Sequence, residues 1–175
     1  MAAPEATPHR APLVVIAVGN RSRGDDALGP LLLDRLAAHL GQARGAGVEL
    51  IEDFQLQVEH ALDLDGRELA LFIDAGTGTP APYAFAEVAA SPPSAGHSTH
   101  ALAPQQVLGC YRQVMAGTPP PAFVLCVRGE RFELGEDPSA EALGHLEAAW
   151  PHLRALCEDA DVERWRRSAA PKARA

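Results

Sequence analysis

The sequence predicts an α/β protein: a single three-layer domain whose twisted, mostly parallel sheet carries helices on both faces. Short, continuous apolar runs recur along the chain, as in strands covered on both sides. Stretches with apolar residues at helical spacing lie between them. This alternation runs through 175 residues, a length that one domain accommodates.

Leu13 to Val18 is the first buried strand, and Gly19-Asn20 ends it. Leu28, Leu31, Leu32, Leu36 and Leu40 then recur at helical spacing, predicting an amphipathic helix over about 26–40. Asp25 and Asp26 fall at its start, where carboxylates suit the positive end of a helix, and Gly41 closes it. Val48 to Glu52 reads as a strand and Val58 to Leu64 as a short helix. Leu69 to Ile73 is a third buried strand with Asp74 at its carboxyl end, followed by a turn from Ala75 to Pro80. Tyr83 to Val88 looks like an edge strand, and Ser91 to His100 an irregular loop. Gln105 to Met115 reads as a helix, Phe123 to Val127 as a strand, and Arg128 to Pro138 as a loop. Ala140 to Cys157 is expected as the last helix, with Leu143, Leu146, Trp150, Leu153 and Cys157 along one stripe. The folded domain is therefore expected to span 12–158, with 1–11 and 159–175 as flexible termini.

Composition narrows the function classes. Apolar residues make up 47% and charged residues 22%, which is ordinary globular chemistry. Ala is unusually common at 33, and Lys172 is the one lysine against 14 arginines, a coding bias. The net charge of −8 speaks against general nucleic-acid binding. The basic patch Arg164, Arg166, Arg167, Lys172 and Arg174 reads as a solvated tail. Cys110, Cys126 and Cys157 lack disulfide or zinc-knuckle spacing and read as small buried hydrophobes. No secretory signal is visible, and the apolar run Leu13 to Val18 is far below the roughly 20 residues a membrane helix needs. A cytoplasmic protein without membrane insertion is expected by elimination.

In parallel sheets the working site lies beyond the carboxyl ends of the strands. That rule selects the loops after Val18, Ile73 and Val127. Their candidates are Asp25, Asp26 and Asp74, with His100 near the start of a later helix. Two carboxylates and an imidazole, with one position open, match a catalytic metal site, and oxygen and nitrogen donors suit Zn, Mn, Ni or Fe. Each residue also has a plainer reading. Asp25 caps its helix, Asp74 forms a turn, and His97 is an equal competitor to His100. His39, His60, His145 and His152 sit within helices and are weak ligand candidates. Phosphate-loop readings are weak. The segment Gly19 to Gly24 lacks the close glycine triplet, and Asp25 and Asp26 would repel a pyrophosphate. No Gly-x-Ser-x-Gly, His-Glu-x-x-His or cysteine–histidine nucleophile pair is present.

The run Val18-Gly19-Asn20-Arg21-Ser22-Arg23-Gly24-Asp25-Asp26-Ala27-Leu28-Gly29-Pro30 resembles the opening of the hydrogenase maturation proteases, which trim the C-terminus of the nickel-iron hydrogenase large subunit. The resemblance continues in order. Leu71-Phe72-Ile73-Asp74-Ala75 is similar to the family's strand ending in Asp-Ala. Ser98-Thr99-His100-Ala101-Leu102 is similar to its histidine segment, and Arg128-Gly129-Glu130 with Phe132-Glu133-Leu134-Gly135 to its last loop. Phe54-Gln55-Leu56-Gln57-Val58-Glu59 is similar to a Gln-Leu-x-x-Glu segment of one branch.

The resemblance covers about residues 12–158. It implies a mostly parallel sheet and a processing endopeptidase, with Asp26, Asp74 and His100 as both catalytic and nickel-contacting residues. The nickel is implied to arrive in the precursor large subunit, the partner, so the resting enzyme needs no metal of its own. A monomer is expected. Ala27 stands where many members have Gly, and Asp26 where some have Glu, which shortens one arm but keeps the donor type. Two alternatives share these residues: a metal hydrolase of small substrates with its own metal, and an assembly partner that binds the nickel-loaded precursor without cutting it. The loops Ser91 to Ser98 and Arg128 to Asp137 border the expected site, with Arg128 and Arg131 as candidate grips for the precursor.

Overall fold

The computed structural model describes residues 10–41, 47–92 and 102–169. Its strands are β1 (Leu13–Val18), β2 (Val48–Asp53), β3 (Leu69–Gly76), β4 (Tyr83–Val88) and β5 (Ala122–Arg128). They form one sheet in the order β2-β1-β3-β5-β4. All neighbouring pairs are parallel except β4 with β5. The helices are α1 (Leu28–Leu40), α2 (His60–Asp63), α3 (Pro104–Val114), α4 (Ala140–Glu158) and α5 (Val162–Ser168).

Why the apolar runs are unbroken follows from this architecture. Successive strand residues point to opposite faces, and both faces are covered. Val15, Ala17, Leu71 and Ile73 pack with Leu32 and Leu36 of α1, Leu146 and Leu153 of α4, and Trp165 of α5. Val14, Ile16, Ala70 and Phe72 turn the other way, against Leu64, Val107, Leu108 and Tyr111. The three-layer α/β class is as expected.

Strand order decides where a site can form. From β1 the chain crosses to β2 on one side, whereas β3 lies on the other side of β1. The connections leaving β1 and β3 therefore diverge, and a crevice opens between their carboxyl ends.

Four expectations need correction. The first helix does not begin at 26, because Gly24–Ala27 forms a 3-10 turn and α1 starts at Leu28. β3 does not end at Ile73, since Asp74, Ala75 and Gly76 pair with Cys126, Val127 and Arg128. Residues 159–169 are not a flexible terminus. Asp161 caps α5 by accepting the Arg164 N–H, and Trp165, 1% exposed, stacks edge-on against Phe123 and Phe85. The C-terminal arginines 164, 166 and 167 thus decorate a packed helix, and Arg166 pairs with Glu87 of β4. Finally, Cys126 is half-buried and polar in its contacts, while Cys110 and Cys157 are buried as expected.

Candidate active site

The loop after β1 is pressed hard onto the strand ends. Gly19 has φ +147°, and a Cβ there would lie 1.9 Å from the Asp26 carbonyl oxygen. A Cβ on Gly29 would lie 2.6 Å from the Val18 carbonyl oxygen and 3.2 Å from that of Ile73. Glycine at both positions lets the 3-10 turn and the first turn of α1 seat directly over β1 and β3. That seating carries Asp26 to the mouth of the crevice. The Asn20 N–H donates to Asp26 Oδ2 at 2.9 Å and orients its carboxylate.

Asp74 reaches the same crevice from β3. Its Oδ1 accepts the N–H of Ala75 at 2.7 Å. Burial pushes its carboxyl up to about 6; the Ala75 N–H works against that, and the negative charge of Asp26 adds to it. The two acids therefore sense each other across the crevice. Beside Asp74 on β5 stands Cys126, whose Sγ lies 2.9 Å from Thr79 Oγ1. Burial raises this thiol above its ordinary range, and the Asp74 charge raises it further against the Thr79 contact. A protonated thiol is a poor nucleophile.

Asp25 has a different task from its neighbour. It is fully buried and does not cap its own helix, which corrects the capping reading. Its Oδ2 accepts the N–H groups of Glu130 and Arg131 at 2.8 and 2.9 Å, and the Ser139 hydroxyl at 3.1 Å. Its Oδ1 accepts the Ser139 N–H at 2.7 Å. Burial disfavours the charge, yet these four donors outweigh burial and hold Asp25 below the ordinary carboxylate range. In return the Asp25 N–H donates to the Arg131 carbonyl at 2.7 Å. The loop between β5 and α4 is thereby fastened beside the loop after β1. Arg128 donates to Thr79 O and pairs with Glu130, and the Arg23 guanidinium donates to Phe132 O.

His100 and its competitor His97 lie outside the described residues. The Leu102 N–H donates to Leu56 O at 3.0 Å on the sheet face that carries Asp74. Among the described residues, no three His, Cys, Asp or Glu side chains form a group able to hold a metal ion. Asp26 and Asp74 thus lie near enough for the charge of one to raise the carboxyl of the other, and the third expected ligand lies outside the described residues.

One polar pair escaped the sequence reading. His60 is 4% exposed and its Nε2 faces Asp53 Oδ2 at 3.5 Å. Sequence pattern alone marks His60 as an ordinary helical histidine and ends β2 at Glu52, whereas the strand runs through Asp53. The rule of carboxyl strand ends, applied also to β2, would have found Asp53.

No family model and no curated protein matches this chain. Solved structures do. The hydrogenase maturating endopeptidase HybD from E. coli superposes with a TM-score of 0.62 at 20% identity, covering 83% of this chain and 92% of that one. The [NiFe] hydrogenase maturation protease HycI from Thermococcus kodakarensis gives 0.61 at 19% identity, over 84% and 92%. HybD from the same archaeon gives 0.54 at 17% identity, over 83% and 98%. At such identities the likeness establishes the fold, and this chain folds as those proteases do.

Proposed function

We propose that this chain is a processing endopeptidase that removes the C-terminal extension of a nickel-iron hydrogenase large-subunit precursor after nickel insertion. The observation that carries the reading is the placement of Asp26 and Asp74 beyond the carboxyl ends of the neighbouring strands β1 and β3, near enough for the Asp26 charge to raise the Asp74 carboxyl. Two acids sit there on a fold shared with solved proteins that are endopeptidases of hydrogenase maturation. In this reading Asp26, Asp74 and His100 contact nickel carried by the precursor, so the metal belongs to the substrate. Peptide hydrolysis needs a polarised carbonyl and an activated water. The crevice carboxylates supply oxygen donors to the metal and an acceptor for the water's proton. Asp25 contributes by fastening the loops around them. Among the described residues no helix is long and apolar enough to cross a membrane, and the reading places the protein in the cytoplasm as a monomer beside its client.

A gel-shift assay tests this. Purified protein is mixed with nickel-loaded and nickel-free precursor, with Asp26→Asn, Asp74→Asn, His97→Ala and His100→Ala variants in parallel. Shortening of the nickel-loaded precursor alone, lost in the Asp26, Asp74 and His100 variants and kept in His97→Ala, is expected. Equal cutting without nickel, or by Asp26→Asn, refutes the site. A stable complex without cutting replaces the protease by an assembly partner.

A further inference from the structure

The two crevice acids are carried by different parts of the fold, and Arg128, the last residue of β5, links those parts. Asp74 is set by the sheet, because β3 continues past it to Gly76, which pairs with Arg128. The turn that follows is closed onto β5 by Thr79, whose Oγ1 lies 2.9 Å from Cys126 Sγ. The Thr79 carbonyl accepts the Arg128 Nη1–H at 3.0 Å. The other two nitrogens of the guanidinium, Nε and Nη2, each lie 2.7 Å from Glu130 Oε1. The Glu130 N–H in turn donates to Asp25 Oδ2 at 2.8 Å, and Asp25 shares the 3-10 turn with Asp26. One side chain thus joins the turn that follows Asp74 to the loop that grips the neighbour of Asp26.

The backbone of Arg128 is fixed as well. Its N–H donates to Pro82 O at 3.1 Å, and its carbonyl accepts from His145 Nδ1 at 3.0 Å. The next N–H, that of Gly129, donates to Gly76 O at 3.2 Å. The guanidinium therefore starts from a rigid base. It is 30% exposed and its partner Glu130 is 42% exposed, so the ion pair adds little to global stability. Its geometry matters more. A planar fork that bonds a carbonyl and a carboxylate at once fixes the two relative to each other. The sequence marks Arg128 as a grip for the precursor, but in the folded chain each of its three nitrogens already has a partner.

We propose that Arg128 is a positioning residue: through Glu130 and Asp25 it sets where Asp26 stands relative to Asp74, and it does not touch the precursor. Its effect on cleavage rests on the function proposed above. Asp26 has one orienting donor, the Asn20 N–H, so its placement follows the turn that carries it. That turn is held by the Asp25 bonds to the loop after β5, and the loop is held by Arg128. A misplacement of about 1 Å between reacting groups can cost ~100-fold in rate, whereas loss of a partly exposed ion pair barely moves a melting point. Release of Arg128 therefore acts on the chemistry and leaves the fold in place.

The test pairs amide hydrogen exchange on the full chain with precursor kinetics. The Asn20 N–H is protected by Asp26, and those of Glu130 and Arg131 by Asp25. In Arg128→Ala all three are expected to exchange at least about tenfold faster, with the Phe72 amide and the thermal midpoint unchanged. Glu130→Gln keeps the backbone N–H and removes the carboxylate. It should reproduce the effect at Asn20, and the double variant should add nothing beyond the larger single effect. Arg128→Lys keeps the charge without the fork and should restore only part of the protection. In precursor cleavage, Arg128→Ala is expected to lower kcat at least about tenfold and leave KM unchanged. Wild-type exchange at Asn20, or additive effects of Arg128→Ala and Glu130→Gln, overturns the proposal. So does a lowered thermal midpoint with faster exchange at Phe72, which marks a merely structural residue. A raised KM with kcat intact also overturns it and makes Arg128 a grip on the precursor. Because exchange needs no substrate, the two readings fail separately. Faster exchange at Asn20 in a protein that cuts no precursor keeps the positioning role and removes the protease. Nickel-dependent cutting with unaltered exchange removes the positioning role alone.

Discussion

Asp74→Asn should make the protein more stable while abolishing the proposed cleavage of the precursor. The Asp74 carboxyl is pushed from 3.8 up to about 6, by burial first and the Asp26 charge second. In the folded state it holds its proton up to that value, whereas in the unfolded chain it releases it near 3.8. Between those two pH values the native state binds more protons, so stability falls as pH rises through the window. Above about 6 the full penalty is present, and below 3.8 it is gone. Two units correspond to about 3 kcal/mol, and partial solvent access reduces that to about 1–3 kcal/mol. Asparagine is neutral at every pH and retains an oxygen for the Ala75 N–H. Urea unfolding at pH 7.5 should therefore show Asp74→Asn above wild type by this amount, with the gap closing by pH 3.5. A variant less stable than wild type at pH 7.5, or a gap that ignores pH, would refute the electrostatic account.

Asp25→Asn should do the opposite. An amide cannot accept from all four donors, and the loss at pH 7 should be about 3 kcal/mol in urea unfolding. Asp25 is held below 3.8, so its contribution is full above that pH and fades as pH falls through its lower folded value. The deficit should accordingly shrink in acid, and a deficit unchanged there would argue against charge-assisted bonding. Trp165→Ala should cost about 3–5 kcal/mol, read as a lowered thermal midpoint. Truncation after Glu158 should do at least as much, and an unchanged midpoint would mean α5 is not part of the core. Gly29→Ala places a methyl against the Val18 carbonyl and should cost about 1–3 kcal/mol in thermal melts while slowing precursor processing; wild-type behaviour in both would show that the turn can retreat.

How much of this was readable from the chain depended on the physics of each element. Buried parallel strands announce themselves, because Leu13 to Val18 and Leu69 to Ile73 are apolar on both faces. Asp74 was visible as a charge at the end of such a run, although the strand continues beyond it through pairing that only β5 can supply. α5 was not legible. Its seven residues hold one buried side chain, Trp165, among charged neighbours, and that pattern has no periodicity to detect. The Asp53–His60 pair was hidden for a related reason. A single histidine in a four-residue helix looks like any other until the fold sets it against the strand end.

The acidic pair shows where local pattern stops being informative. Asp25 and Asp26 are chemically identical and adjacent, and helix-terminus electrostatics treats them alike. Tertiary structure separates them completely. The 3-10 turn directs Asp25 into the protein, where a loop more than a hundred residues later offers it four donors. It leaves Asp26 at the crevice, with one orienting N–H from Asn20. The buried acid spends its hydrogen-bonding capacity on structure, and the other keeps lone pairs not taken by the Asn20 N–H, as the proposed nickel contact requires. The two roles are coupled, because the same turn carries both. Loosening Asp25 from the β5–α4 loop would let Asp26 move, so Asp25→Asn should slow processing without touching the crevice itself.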